Sequence, residues 1–129
     1  MDWLETLGWK KREIEALRTA AFAYVKQGAY DLALTFFEAL TYLVPNTAYD
    51  LQMLGALHLQ MGNGLRALEC IDRALKIEPA HLETRLNRAK TLCMLGYKRQ
   101  GLTLAMELAQ NENREISSQA TALILAYGS

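Results

Sequence analysis

The sequence predicts an all-α fold: an α-solenoid of about three stacked helix pairs, sealed by a C-terminal capping helix. Three observations carry this. Gly28, Gly62 and Gly96 are spaced by 34 residues, Pro45 and Pro79 by the same interval, and Ala33, Ala67 and Gly101 each follow a glycine by five. Coincident series at one interval mark an internal repeat, and about three such units are needed before a stack is stable. Between the markers apolar residues recur at threes and fours, the spacing of one helix face. Finally, 129 residues fit one domain, and 51% hydrophobic residues supply a core that a disordered chain would lack.

The elements follow in order. Residues 1–13 form an N-terminal segment in which Asp2 can cap, with Glu5 three residues on. Gly8 is expected to end that turn. Trp3, Leu4 and Leu7 fall on one side of it, so the segment either folds back over the first repeat or, together with Trp9, docks a second protein subunit or a twin copy of the chain. Lys10, Lys11 and Arg12 are followed by Glu13 and Glu15, the pattern of a solvated face. The repeats are expected at about 14–47, 48–81 and 82–113.

In the first repeat, Leu17, Ala20, Ala21, Tyr24 and Val25 make one apolar stripe that ends at Gly28, a residue suited to the left-handed conformation that closes a helix. A second helix runs from Tyr30 to about Leu43, with Ala33, Phe36, Phe37 and Leu40 inward, and Pro45 stops it. The second repeat places Leu51, Leu54, Gly55, His58 and Leu59 before Gly62, then Leu65, Ala67, Leu68, Ile71, Ala74, Leu75 and Ile77 before Pro79. The third runs from about Leu82 to Gly96 and from Lys98 to about Ala109. Small residues at Ala33, Ala67 and Gly101 let paired helices approach closely. The segment 114–129 carries Ile116, Ala120, Leu123, Ile124 and Tyr127 on one stripe and is read as the capping helix.

Composition narrows the function. Lys plus Arg and Asp plus Glu are 14 each, so the formal charge is zero and no basic face for nucleic acid is expected. No run approaches the roughly 18 apolar residues of a membrane helix, and residues 1–5 lack a signal-peptide start, so the expected location is the cytoplasm. Cys70 and Cys93 have no Cys or His at zinc spacing and are expected as buried, reduced thiols. His58 is expected between helices with a polar partner, and His81 at a cap or in water. With no phosphate loop, paired-carboxylate motif or metal spacing, neither an enzyme nor a cofactor is expected.

The spacing and residue types resemble the tetratricopeptide repeat. The match lies in Leu54-Gly55, Gly62, Ala67, Ala74 and Pro79 of the second copy, and in Gly28-Ala29-Tyr30, Ala33 and Pro45 of the first. It covers residues 14 to 113. The third copy departs from the pattern: Arg85 and Arg88 stand where leucine-like residues belong, and Asn113 stands where a proline would close the repeat. Arg88 is expected to lay its stem on apolar surface with its head in water.

The resemblance implies a concave face lined by the first helix of each pair. Its stripe comprises Glu15, Arg18, Phe22, Val25 and Lys26, then Tyr49, Gln52, Met53, Ala56, Leu59 and Gln60, then Leu86, Asn87, Lys90, Cys93 and Met94. The partner-binding residues expected from it are Arg18, Phe22, Val25, Tyr49, Gln52, Met53, Ala56, Leu59, Leu86, Lys90 and Cys93. So apolar a stripe points to a protein partner, an amphipathic helix or extended apolar segment anchored by Phe22 and Tyr49 and fitted by flexible methionines. Tetratricopeptide co-chaperones that grip a free carboxylate resemble one another in Lys and Asn positions that are Arg18, Phe22 and Met53 here, so that clamp is absent.

The stretches Leu17–Tyr30 and Phe36–Leu43 are similar to the first repeat of the small chaperones of bacterial type III secretion that hold translocator subunits. Three repeats plus a capping helix also resemble the plan of the chaperone that holds the needle subunit. This resemblance implies sequestration of a secretion substrate, needle or translocator subunit, before export, with a small co-chaperone as a possible second partner. A general cytosolic scaffold for another protein partner is the alternative.

Overall fold

The first five helices each end where a glycine or proline interrupts the backbone ladder. The computed structural model describes residues 3–128, with the side chains of residue 8 and of residues 10–128. In that span it holds α1 (Trp3–Lys26), α2 (Tyr30–Leu43), α3 (Ala48–Gln60), α4 (Gly64–Ile77), α5 (Leu82–Met94), α6 (Lys98–Ala109) and α7 (Arg114–Tyr127). The cap expected at Asp2 lies outside the described residues, as do the side chains of Trp3, Leu4, Leu7 and Trp9.

Gly28, Gly62 and Gly96 take φ of 76°, 80° and 92°. In this left-handed region a side chain would be strained, so the periodic residue is glycine. The same bond closes each turn: the N–H of Ala29, Asn63 and Tyr97 donates to the carbonyl five residues back, on Tyr24, His58 and Leu92, at 2.8 to 2.9 Å. The prolines act through the residue before them. Val44 and Glu78 sit at φ −128° and −133°, outside the helical region that a following proline disfavours.

Gly8 departs from expectation. It does not end a turn, because α1 runs unbroken through it. One glycine costs a helix about 1 kcal/mol, which the good formers Lys10, Lys11 and Arg12 offset as the helix propagates.

The chain forms two compact units, one up to Pro45 and one from Asn46. In the first, α1 packs on α2 with the Tyr24 ring edge-on to Phe36 at 5.1 Å, and Ala21, Ala33, Phe37 and Leu40 are fully buried. In the second, each helix from α3 to α7 packs on the next, and α5 also touches α3 and α7. Thus α3, α5 and α7 form one row, and α4 and α6 fill the spaces behind it. Close approach depends on missing side chains. A Cβ on Gly55 would meet Ile71 Cγ1 at 2.8 Å, and one on Gly101 would meet Cys93 Sγ at 2.5 Å and the Ala89 carbonyl oxygen at 2.9 Å.

Both histidines and Asn113 have hydrogen-bond partners. His58 is buried and its Nδ1 lies 3.2 Å from the Asn63 amide nitrogen. His81 caps α5, accepting from the Thr84 N–H. Asn113 caps α7 by accepting from the Ile116 N–H at 3.2 Å, which explains an asparagine where the repeat pattern has proline. Cys70 and Cys93 are buried and form no disulfide.

Candidate functional site

In the second unit the row α3, α5, α7 carries two adjoining hollows that share Gln119. One, of about 410 Å³, is lined by Leu59 of α3, Lys90 and Met94 of α5, and Gln119, Ala122, Leu123, Ala126 and Tyr127 of α7. The other, of about 260 Å³, is lined by Glu83, Leu86 and Asn87 of α5 and by Asn113, Glu115, Ile116 and Gln119 around α7. The Lys90 ammonium donates to Gln119 Oε1 at 2.9 Å, tying α5 to α7 beside both. The face is therefore apolar at the Leu59 end and polar at the Glu83 end. It has the mixed lining with which a binding site fixes an amphipathic ligand.

Of the expected residues, Tyr49 is exposed, and Gln52, Met53, Ala56, Leu59 and Lys90 are half-buried. Gln52 donates to Glu78 Oε2 at 2.8 Å, which turns its amide toward the end of α4. Leu59 and Lys90 are brought to one hollow. Two residues are corrected. Leu86, 2% exposed, packs with Leu108, Ile116 and Ala120, and Cys93, 4% exposed, packs with Ala89, Ala105 and Leu123. Both lie in the core because α7 covers the part of α5 they occupy, so Cys93 is closed to a partner and Leu86 shows only an edge to the polar hollow. Burial accordingly raises the Cys93 thiol above its ordinary pKa, with Lys98 opposing.

Sequence reasoning missed the contribution of α7. Gln119, Ala122 and Ala126 recur at i, i+3 and i+7 beside the buried stripe, a spacing legible in the sequence.

In the first unit Arg18, Phe22 and Val25 share one side of α1. Arg18 pairs with Glu15 at 2.9 Å, and the Lys26 ammonium lies 5.3 Å from the centre of the Phe22 ring, which is 42% exposed. A separate hollow of about 470 Å³ is lined by Lys10, Glu13, Ile14, Leu17 and Leu43. No described helix is long and apolar enough to cross a membrane.

Among solved structures, the chain is similar to the translocator chaperone SycD of Yersinia enterocolitica in an alternative dimer, at 25% identity, covering 89% of this chain and 91% of that one, with TM-score 0.74. It is also similar to SycD in complex with a peptide of the translocator YopD, at 24% identity over 91% and 93% of the two chains, TM-score 0.77. The tetratricopeptide domain of Arabidopsis OM64 shares the fold at 16% identity over 87% and 94%, TM-score 0.76. No curated protein matches the sequence. A family model described as anaphase-promoting complex, cyclosome, subunit 3 matches residues 26–108, well over half of the chain. With its 34-residue period, its glycine closures and its row of first helices, the chain is a tetratricopeptide-type repeat protein and belongs to that family.

Proposed function

We propose that this protein is a chaperone that holds an apolar amphipathic segment of a type III secretion substrate, a needle or translocator subunit, and keeps it from assembling before export. The observation that carries the reading is the apolar hollow of Leu59, Met94, Ala122, Ala126 and Tyr127, with Lys90 and Gln119 at its polar side. Such a hollow accepts one face of a helix and leaves the other to the rim. The likeness to SycD, bound in one structure to a YopD peptide, supports the choice of client.

In this reading Tyr49, Gln52, Met53 and Ala56 extend the contact along α3. Phe22, with Arg18 and Val25, offers a further apolar contact on α1. Trp3, Leu4, Leu7 and Trp9 are proposed to dock a small co-chaperone or a second copy. Clients of this kind polymerise or enter membranes through apolar helices, so burial of that helix blocks them without nucleotide chemistry. At about 25 cal/mol per Å² of apolar area, less the cost of ordering the client, micromolar to nanomolar affinity is within reach. The setting would be the bacterial cytoplasm.

The test is co-expression with the products of neighbouring genes, followed by the mass of the purified complex. One tight partner is expected, lost in Tyr49→Asp and Leu59→Asp variants that keep their helix content. Several weak partners, or retention by both variants, would favour a general scaffold.

A further inference from the structure

The repeat period exposes a second site on the other side of α5. Leu51 and Leu54 of α3 are 1% and 5% exposed, and the residues 34 positions on are Arg85 and Arg88. Where the earlier repeat fills its space with leucine, the later one leaves a hollow of about 470 Å³ between α4 and α6, with Leu75 and Leu104 as apolar walls and Lys76, Arg85 and Arg88 around it. Arginine there forgoes the packing of leucine, and two such exchanges fall in one place.

Electrostatics give the hollow its preference. Its lining has three cations against one carboxylate, in a chain whose formal charge is zero. Arg88 Nε donates to Asp72 Oδ1 at 2.7 Å, which uses one of the five N–H donors of the guanidinium. Glu107 reaches Arg85 only at 3.7 Å and from an exposed position. Lys76 makes no ion pair among the described residues. An apolar floor with forked cations above it matches a carboxylate pair flanking a hydrophobic side chain.

We infer that the α4–α5–α6 hollow is a docking site for a short acidic segment of a protein partner, in which a leucine or aromatic side chain enters between Leu75 and Leu104 while carboxylates engage Arg85, Arg88 and Lys76. The site shares no free surface with the Leu59 hollow, so it stands whether or not a secretion client occupies that one.

The probe is an end-blocked peptide, Glu-Leu-Glu-Phe-Glu, titrated into the isotope-labelled full chain and followed by amide chemical shifts. The shifts should centre on α4 to α6, and affinity should fall at least tenfold for the Gln-Leu-Gln-Phe-Gln peptide and for the Arg85→Leu/Arg88→Leu variant. Glu107→Gln should tighten binding severalfold by removing the competing carboxylate. Should the leucine variant misfold, Arg85→Gln/Arg88→Gln carries the same expectation. Equal binding of the glutamine peptide, retention by the arginine variants, shifts confined to α3 and α7, or no binding at millimolar peptide would each overturn the proposal. So would inorganic phosphate or oligothymidylate binding these arginines as tightly as the acidic peptide, since the hollow would then be a general anion site.

Discussion

Replacing Gly101 with alanine adds one methyl group, yet it should separate two helices. The new Cβ would lie 2.5 Å from Cys93 Sγ, 2.9 Å from the Ala89 carbonyl oxygen and 3.0 Å from the Cys93 nitrogen. Two of these three atoms are backbone and cannot rotate aside, so α5 and α6 must part by several tenths of an ångström. With two backbone atoms in the way, the cost falls in the upper part of the overpacking range, about 2–3 kcal/mol. Alanine returns about 1 kcal/mol of helix propensity. The net loss should be about 1–2 kcal/mol, a fall of roughly 4–8 °C in Tm for a chain of this size, read by calorimetry or circular dichroism. In a Cys93→Ala background the loss should shrink but persist, because the Ala89 oxygen and the Cys93 nitrogen stay in place. Gly8→Ala is the control: nothing lies within 4 Å of its Cβ and the residue is already helical, so Tm should hold or rise. A Gly101→Ala variant as stable as the parent would refute the close α5–α6 contact and the reason given for the small residue there.

Four further outcomes are expected. Gly62→Ala, forced to φ near 80°, should lose about 1 kcal/mol, and Gly62→Asn less; equal losses in urea unfolding would count against the left-handed closure. The Cys93 thiol, raised by burial, favours the protonated folded state, so its contribution to stability is present below the ordinary thiol range and lost as pH rises through the folded value; urea midpoints should fall above about pH 9, and less so in Cys93→Ala. Thiol reagents at neutral pH should label Cys93 only on unfolding, and rapid labelling of the native chain would contradict its burial under α7. Ala122→Asp, at an exposed position, should cost the fold under about 1 kcal/mol while weakening client binding at least tenfold in a pull-down; unchanged binding would remove α7 from the site.

Much of the fold was legible because the repeat writes its physics in residues with few substitutes. A φ near 80° calls for glycine, and a helix stop without a partner for the next N–H is met by proline, so Gly28, Gly62, Gly96, Pro45 and Pro79 could be read by position alone. Gly8 misled because the same residue in a helix interior is merely a weak cost that neighbours outweigh. Burial was read less well than periodicity. Leu86 and Cys93 fall at the same repeat positions as Gln52 and Leu59, and only the packing of α7 separates core from free face.

That distinction follows from what a capping helix must do. To seal the third pair, α7 has to occupy the place a fourth first helix would take, touching both α6 and α5. In that place its inward stripe, Ile116, Ala120 and Leu123, is committed to the core, and the stripe beside it, Gln119, Ala122 and Ala126, joins the row of α3 and α5. Sealing the stack and extending its row are thus one geometric act. The cap closes Leu86 and Cys93 into the core and presents Gln119, Ala122 and Ala126 beside the Leu59 hollow in their stead.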